Sequence, residues 1–434
     1  MNSATPIVTF VCMNAYPLFD RSVRASVGGM ETRAALIARF LVQSKGWRIR
    51  FIVGDFGQPS CIQLEGIEFH VYQPFYQRVS IKRLRNIKKL HGMSASMWYW
   101  GLIKRLPFLV PFHFFPGIFY PMYWRFRKSD VICCFGNNAI SAQVVADCLH
   151  VGINTVLCLA SDSDLAADYQ PKDKSLNDYM TPKWMAHYTL EMADHIVVQT
   201  NQQQELLKTR FNRTAELIRN PVEIDKYSPT NWPNRNLRDV VLWIGRSDTF
   251  HKQPLLLIEL ARRCPELPFL MIVNKTHVAV FDAIQAQKPH NLTVIESVPH
   301  PEIWQYYRRA RVFVSTSAYE GFPNTFLQCA VSGVPVASLQ IDPEEILSNH
   351  DCGLLAHGSL YQLEKHVRHL WDDAKLAEHY ALTFYEYALR NHGLESQANH
   401  FATIVQKIMD TSKNKQAPPW WRFAKCRFIG KYEN

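Results

Sequence analysis

Short apolar runs alternate with helical patterns along most of this 434-residue chain, and the alternation stops once and then restarts. The first run, residues 7–12, leads through a loop ending Val27-Gly28-Gly29-Met30-Glu31 into a helical pattern at 32–43 and a second run at 48–53. Strand, glycine-bearing turn, helix and strand make a βαβ unit. Runs at 131–135, 155–159 and 195–199 are mostly apolar, the pattern of parallel strands covered on both faces. From Arg219-Asn220-Pro221-Val222 to Asn236 the chain is rich in Pro and Asn and loses periodicity, which marks an interdomain linker. Strand patterns resume at 240–244, 269–273, 292–295, 312–314 and 334–337, with helical segments at 254–263, 301–309 and 323–332. The expected architecture is α/β, with two Rossmann-like doubly wound domains facing a central cleft. Residues 1–222 would form the first domain and 223–395 the second. Residues 396–434 would form a C-terminal helix and tail, packed back on the first domain or on a membrane. A chain of this length accommodates two domains of about 200 residues.

The net charge of +10 is unevenly placed. Between Phe69 and Ser129 there is no Asp or Glu, and eleven Lys or Arg run from Arg78 to Lys128. Removing those eleven leaves −1, so a near-neutral body carries one basic insertion at 69–130. That distribution argues against a protein that coats nucleic acid and for one local anionic partner surface. The insertion also holds Trp98-Tyr99-Trp100 and many Phe, the composition of an interfacial membrane anchor; a loop packed on its own domain is the other reading. Trp420 to Lys431 repeats the basic-aromatic composition. Residues 106–124 are apolar but contain Pro107, Pro111, Pro116 and Pro121, whose missing hydrogen bonds lipid cannot replace, so no span is expected there. Ten cysteines show no metal-ligand or framework spacing, and the apolar run 7–13, with no positive residue before it and no small-residue cleavage site after it, is expected to be a first buried strand rather than a secretory leader. A reduced, cytoplasmic setting at the inner face of the plasma membrane is expected.

Three constellations carry chemistry. The first is Tyr319-Glu320-Gly321-Phe322-Pro323-Asn324-Thr325, directly after the run at 312–314 and at the start of a helical segment. Pro323 suits the first helical turn, and a helix starting there offers unpaired N–H groups and a positive dipole end at the carboxyl edge of a sheet. Glu320 is an acceptor at that mouth, and Gln328 points to roughly the same side two turns on. The second is Trp243-Ile244-Gly245-Arg246 with Lys252 in the following loop, two cations suited to a diphosphate on which negative charge grows. The third is Gly28-Gly29, where the backbone can approach a ligand closely. Each also has a plainer reading, as a helix entry, a solvated basic loop or an ordinary glycine turn.

In this order the three constellations resemble the family 4 retaining glycosyltransferases, whose two-Rossmann-domain fold is called GT-B. Residues 192–200 are similar to that family's strand before the linker. The stretch Ile218-Arg219-Asn220-Pro221-Val222 to Asp225 is similar to its Asn-Gly-Val-Asp turn, with Pro221 where Gly is usual. The resemblance implies a hexosyltransferase-type enzyme that takes a sugar from a UDP- or GDP-sugar, with retention and without metal or other cofactor. The acceptor it implies is a saccharide or lipid-linked saccharide in cell-surface polysaccharide synthesis. It places Arg246 and Lys252 on the donor diphosphate and Glu320 against the donor sugar. Gly28, Gly29, Gly245, Gly321, Phe322, Pro323, Asn324 and Thr325 would line the donor site, with the helix dipole at 322–324 helping to clamp the diphosphate.

Two departures stand out. The family's Glu-x7-Glu signature has Gln328 at its second acid, which would hold ribose hydroxyls without charge assistance. Where members often place a His after a mid-domain strand, this chain has Ala160-Ser161-Asp162-Ser163-Asp164. Asp162 is the candidate for a catalytic role there and Asp164 for a donor contact, against a polar capping loop. A sugar-nucleotide epimerase of the same architecture and a non-catalytic nucleotide-sugar-binding protein remain alternatives. A dehydrogenase is disfavoured because no G-x-G-x-x-G follows the first strand.

Overall fold

The computed structural model describes residues 5–23, 25, 27–72, 128–224, 229–299 and 302–412. The basic-aromatic insertion, apart from its ends, and the C-terminal patch lie outside the described residues. Two sheets organise the rest. The first has eight strands: β1 (Ile7–Val11), β2 (Arg48–Val53), β3 (Cys61–Leu64), β4 (Ile67–Val71), β5 (Val131–Phe135), β6 (Asn154–Cys158), β7 (His195–Val198) and β8 (Glu216–Leu217). Their order is β3-β4-β2-β1-β5-β6-β7-β8, parallel except for the β3–β4 edge hairpin. The second has six parallel strands: β9 (Val240–Arg246), β10 (Phe269–Asn274), β11 (Leu292–Glu296), β12 (Ala310–Ser315), β13 (Val336–Ser338) and β14 (Leu354–Leu355), in the order β11-β10-β9-β12-β13-β14.

Both sheets are doubly wound, so each central strand is buried on two faces, and β5 is buried along its whole length. Burying its five side chains removes apolar area from water on both sides at about 25 cal/mol per Å². The strand order reverses between β1 and β5 in the first sheet and between β9 and β12 in the second. At such a switch point the flanking crossovers diverge and leave a crevice at the carboxyl ends of the strands.

Several boundaries differ from the sequence reading by one to three residues, and three of them have a plain cause or bear on the site. Helix Gly29–Lys45 starts three residues before Thr32 because Gly28 caps it, donating its N–H to Glu31 Oε2 at 2.9 Å. Helix Asn324–Ser332 starts after Pro323, which has an extended ψ of 125° and stands at the cap rather than in the first turn. The last strand of the predicted five covers 336–338, later than 334–337.

The chain crosses between the sheets twice, side by side. Val222 and Gly393 form an isolated parallel bridge, with Val222 N–H on the His392 carbonyl at 2.8 Å and Leu394 N–H on the Val222 carbonyl at 3.1 Å. Helix Leu394–Ser412 then places Phe401, Val405 and Ile408 in the core of the first sheet.

His392 is fully buried at this double crossing and bonds the Asn220 carbonyl through Nδ1 at 2.8 Å. Burial pushes its pKa down to about 3, and nearby Arg219 works in the same direction against the Asn220 bond. A folded pKa below the unfolded value means a contribution fully present above about pH 6.5 and lost as pH falls toward 3. The stability gap between wild type and His392→Gln should therefore shrink by about 1.4 kcal/mol per pH unit below about 6.5. Denaturant unfolding of both proteins at pH 7.5 and pH 5 reads this directly; a gap independent of pH would contradict it.

Candidate active site

The loop after β9 and the loop after β12 meet at the second sheet's switch point, and there the structure gathers Arg246, Asp248, His251, Lys252, Ser317 and Glu320. Asp248, only 2% exposed, fixes the first loop by accepting the backbone N–H groups of His251 and Lys252 on Oδ1, both at 2.8 Å. Its Oδ2 stands 3.3 Å from Arg246 Nε. Lys252 Nζ pairs with Glu320 Oε1, which also accepts from Ser317 Oγ at 3.0 Å. Burial alone would raise the Glu320 pKa, but Lys252 and His251 beside it hold the carboxyl well below the usual range. Glu320 is therefore a fixed negative charge and cannot serve as a proton donor near neutral pH.

Gly245 serves packing rather than ligand approach: a Cβ there would come within 2.7 Å of the Trp243 ring, whose Nε1 donates to Thr316 Oγ1 at 2.9 Å. Trp243 so supports both loops from beneath.

The first domain closes over this cluster. Gly321 is needed because a Cβ would lie 2.8 Å from Gln203 Nε2 and 2.9 Å from Gln199 Oε1. Gln199 Oε1 accepts the Phe322 N–H at 3.3 Å, and Asn220 Nδ2 donates to the Phe322 carbonyl at 2.8 Å. Across the cleft, Asn324 Nδ2 donates to the Gly29 carbonyl at 3.1 Å, which brings the Gly28-Gly29 turn against the start of helix Asn324–Ser332. Tyr179 lies on a first-domain loop, where burial raises its hydroxyl pKa and nearby Ser163 and Arg246 oppose the rise.

Several expectations are corrected here. The Gly28 N–H is spent on Glu31 and the Phe322 N–H on Gln199, and Pro323 has none, so the positive helix end available to an anion starts at Asn324 and Thr325. Asp164 is buried, and its carboxylate accepts the backbone N–H groups of Ala160 (2.7 Å), Ser161 (3.1 Å) and Asn137 (3.3 Å). It shapes the loop, with both carboxylate oxygens engaged by the main chain. Asp162, by contrast, faces Gln203 (3.0 Å) and feels the Glu320 charge. Burial pushes its pKa up to about 6. With Asp164 consumed, the two do not form a metal-binding pair. Among the described residues, three metal-capable atoms come within 4.8 Å of one another at Cys61, Glu68 and His70 on the β3–β4 hairpin, where Glu68 is already paired with Arg50 and His70.

Gln328 Oε1 accepts the buried Tyr307 hydroxyl at 2.7 Å, which leaves its amide N–H₂ to face a ligand. A Glu at 328 would keep the Tyr307 bond and present a charged oxygen; charged hydrogen bonds contribute about 1.5–3 kcal/mol against about 0.5–1.5 for neutral ones. Gln328→Glu should therefore tighten UDP binding by roughly three- to tenfold in titration calorimetry. Unchanged affinity would mean that Gln328 does not touch the nucleotide.

Sequence reasoning missed His251, Asp248, Gln199, Gln203 and Asn220. His251 and Asp248 lie between Arg246 and Lys252 and could have been read as part of that loop. The other three act across the cleft.

Residues 238–373 match the family described as glycosyl transferases group 1. That stretch is a glycosyl transferases group 1 domain, and the two-sheet fold of the chain is the one shared by GT-B glycosyltransferases of known structure. Sucrose-phosphate synthase from Thermosynechococcus elongatus is similar over 94% of this chain and 100% of its own, at 15% identity and a TM-score of 0.68. HepE from Anabaena, solved with UDP and glucose, is similar over 93% and 100%, at 12% identity and a TM-score of 0.62. TarM from S. aureus, solved with UDP and α-GlcNAc-glycerol, is similar over 64% of this chain and 55% of its own, at 17% identity and a TM-score of 0.52. A search of curated proteins gives no match. No helix among the described residues is long and apolar enough to cross a membrane.

Proposed function

We propose that this glycosyltransferase moves a hexose from a UDP- or GDP-sugar, with retention, to a saccharide or lipid-linked saccharide in cell-surface polysaccharide synthesis. The observation that carries the reading is the Arg246–Lys252–Glu320 cluster at the second domain's switch point, roofed by the first domain. Two cations beside the N-terminus of helix Asn324–Ser332 fit a diphosphate leaving group, whose growing charge they stabilise without a metal. Glu320, held ionised, accepts hydroxyls of the donor sugar from the floor of the cleft. Because Glu320 is locked in an ion pair, the acceptor's proton passes to the departing diphosphate on the same face, which fits retention. UDP in HepE and TarM favours a uridine donor.

The acid-free basic insertion supports a peripheral position at the inner face of the plasma membrane, where each Lys or Arg near anionic lipid contributes about 1 kcal/mol. Titration with UDP- and GDP-sugars, following nucleotide release with and without a lipid-linked acceptor, tests the whole reading. Release stimulated by acceptor supports transfer. A free epimer formed without acceptor would make the protein an epimerase, and binding without turnover would make it a binding protein.

A further inference from the structure

We propose that His251 is a positioning residue that sets Arg246 and Glu320 at their working separation, so that the diphosphate cation and the sugar-binding acid act as one unit. The proposal rests on the glycosyl-transfer reading above and deepens it. Arg246 Nη2 lies 2.8 Å from His251 Nδ1. A guanidinium only donates, so Nδ1 is the unprotonated nitrogen and the ring proton sits on Nε2. That N–H is buried and makes no hydrogen bond of ordinary geometry, and the nearest ion-pair partner it has is Glu320 Oε2 at 3.4 Å. One imidazole thus touches the cation on one edge and the acid on the other, while Arg246 and Glu320 make no direct bond to each other.

The ring cannot easily turn away. Phe250 and Tyr319 lie beside it with near-parallel rings, centroids 6.2 and 5.7 Å from the His251 ring. The main chain is held as well: His251 N–H donates to Asp248 Oδ1 at 2.8 Å, and its carbonyl accepts the Ala318 N–H at 2.8 Å. The second of these bonds ties the cation loop to the acid loop two residues before Glu320. The charged and titratable groups around the ring are Arg246, Asp248 and Lys252 on its own loop, and Tyr319 and Glu320 on the facing one. His251 is assigned no contact of its own with donor or acceptor, so its effect passes through Arg246 and Glu320.

Three substitutions separate this role from plain packing. His251→Phe keeps the near-parallel ring contacts and removes both nitrogens. His251→Asn restores an acceptor where Nδ1 stood, and His251→Gln a donor where Nε2 stood. Turnover of donor sugar by His251→Phe should fall on the order of tenfold to a hundredfold at unchanged melting temperature, because misplacement of a reacting group by about 1 Å costs that much. His251→Asn and His251→Gln should each recover part of the loss. Combining His251→Phe with Arg246→Ala should cost less than the product of the two single losses, since residues acting through one another are not additive and only the Glu320 contact of His251 is then left to lose. UDP affinity, measured by calorimetry on the same proteins, should fall in His251→Phe and be insensitive to it once Arg246 is gone. Wild-type turnover and UDP affinity in His251→Phe, or losses that multiply in the double variant, would overturn the proposal. Wild-type protein that binds UDP but transfers no sugar would instead sink the transfer reading, and the calorimetric cycle would still decide the role of His251.

Discussion

Arg246→Ala and Lys252→Ala should each lower turnover of the donor sugar by at least a hundredfold, about 2.7 kcal/mol of transition-state stabilisation, while the proteins stay folded. Neither cation is a solvated surface charge. Arg246 is braced by Asp248 and His251, and Lys252 by Glu320, so both charges are placed before the donor arrives and need no reorganisation as the diphosphate departs. The two substitutions should differ in one respect. Lys252 is the leading group that lowers the Glu320 pKa against its burial. Without it, burial gains the upper hand and that pKa rises. The residual activity of Lys252→Ala should then fall away on acidification at a higher pH than in Arg246→Ala. Steady-state nucleotide release across pH, with a melting curve for each variant, measures both effects. Near-normal rates in either variant would remove the cluster from the chemistry.

The strands were legible because burial on both faces leaves an unmistakable apolar run: Val131-Ile132-Cys133-Cys134-Phe135 can hardly be anything but a central strand. Arg246, Lys252 and Glu320 were legible because their loops follow such strands. What the sequence hides is where hydrogen bonds go. Asp162 and Asp164 look equivalent on paper, yet one turn of 3-10 helix aims the first at the cleft and feeds the second three backbone N–H groups. Gln199 and Asn220 meet the Phe322 peptide from 123 and 102 residues away, and no local pattern encodes a contact at that distance. The β3–β4 hairpin, the antiparallel pair among the strands of the described residues, was missed because Cys61-Ile62-Gln63-Leu64 is a short edge strand with half its side chains exposed. His251 escaped because a histidine between two basic residues reads as one more loop residue until Asp248 folds that loop.

Glu320→Gln should also lower turnover by at least a hundredfold, yet it should bind free UDP more tightly than wild type does. The substitution keeps the shape of the side chain and removes its charge. In the unliganded protein that charge is the partner of Lys252, and both side chains are largely buried, at 16% and 13% exposure. An incoming diphosphate must therefore share Lys252 with Glu320 and accept the repulsion of the carboxylate. Removing the charge leaves a buried ammonium without its anion, a state that costs about 3–5 kcal/mol and that a bound diphosphate relieves. Part of that energy should appear as UDP affinity. The donor sugar, in contrast, loses a charged acceptor, so the gain falls on the leaving group alone and does not lower the barrier. Stability gives an independent reading of the same charge. The Glu320 pKa is depressed on folding, so its contribution is complete above the unfolded carboxyl value of about 4.3 and is lost as pH falls below it. The gap between wild type and Glu320→Gln should thus be constant from pH 6 to 8 and narrow only in acid. Calorimetric UDP titration together with single-turnover transfer decides the matter: weaker UDP binding in Glu320→Gln would show that Glu320 supports the diphosphate site and does not compete for its lysine.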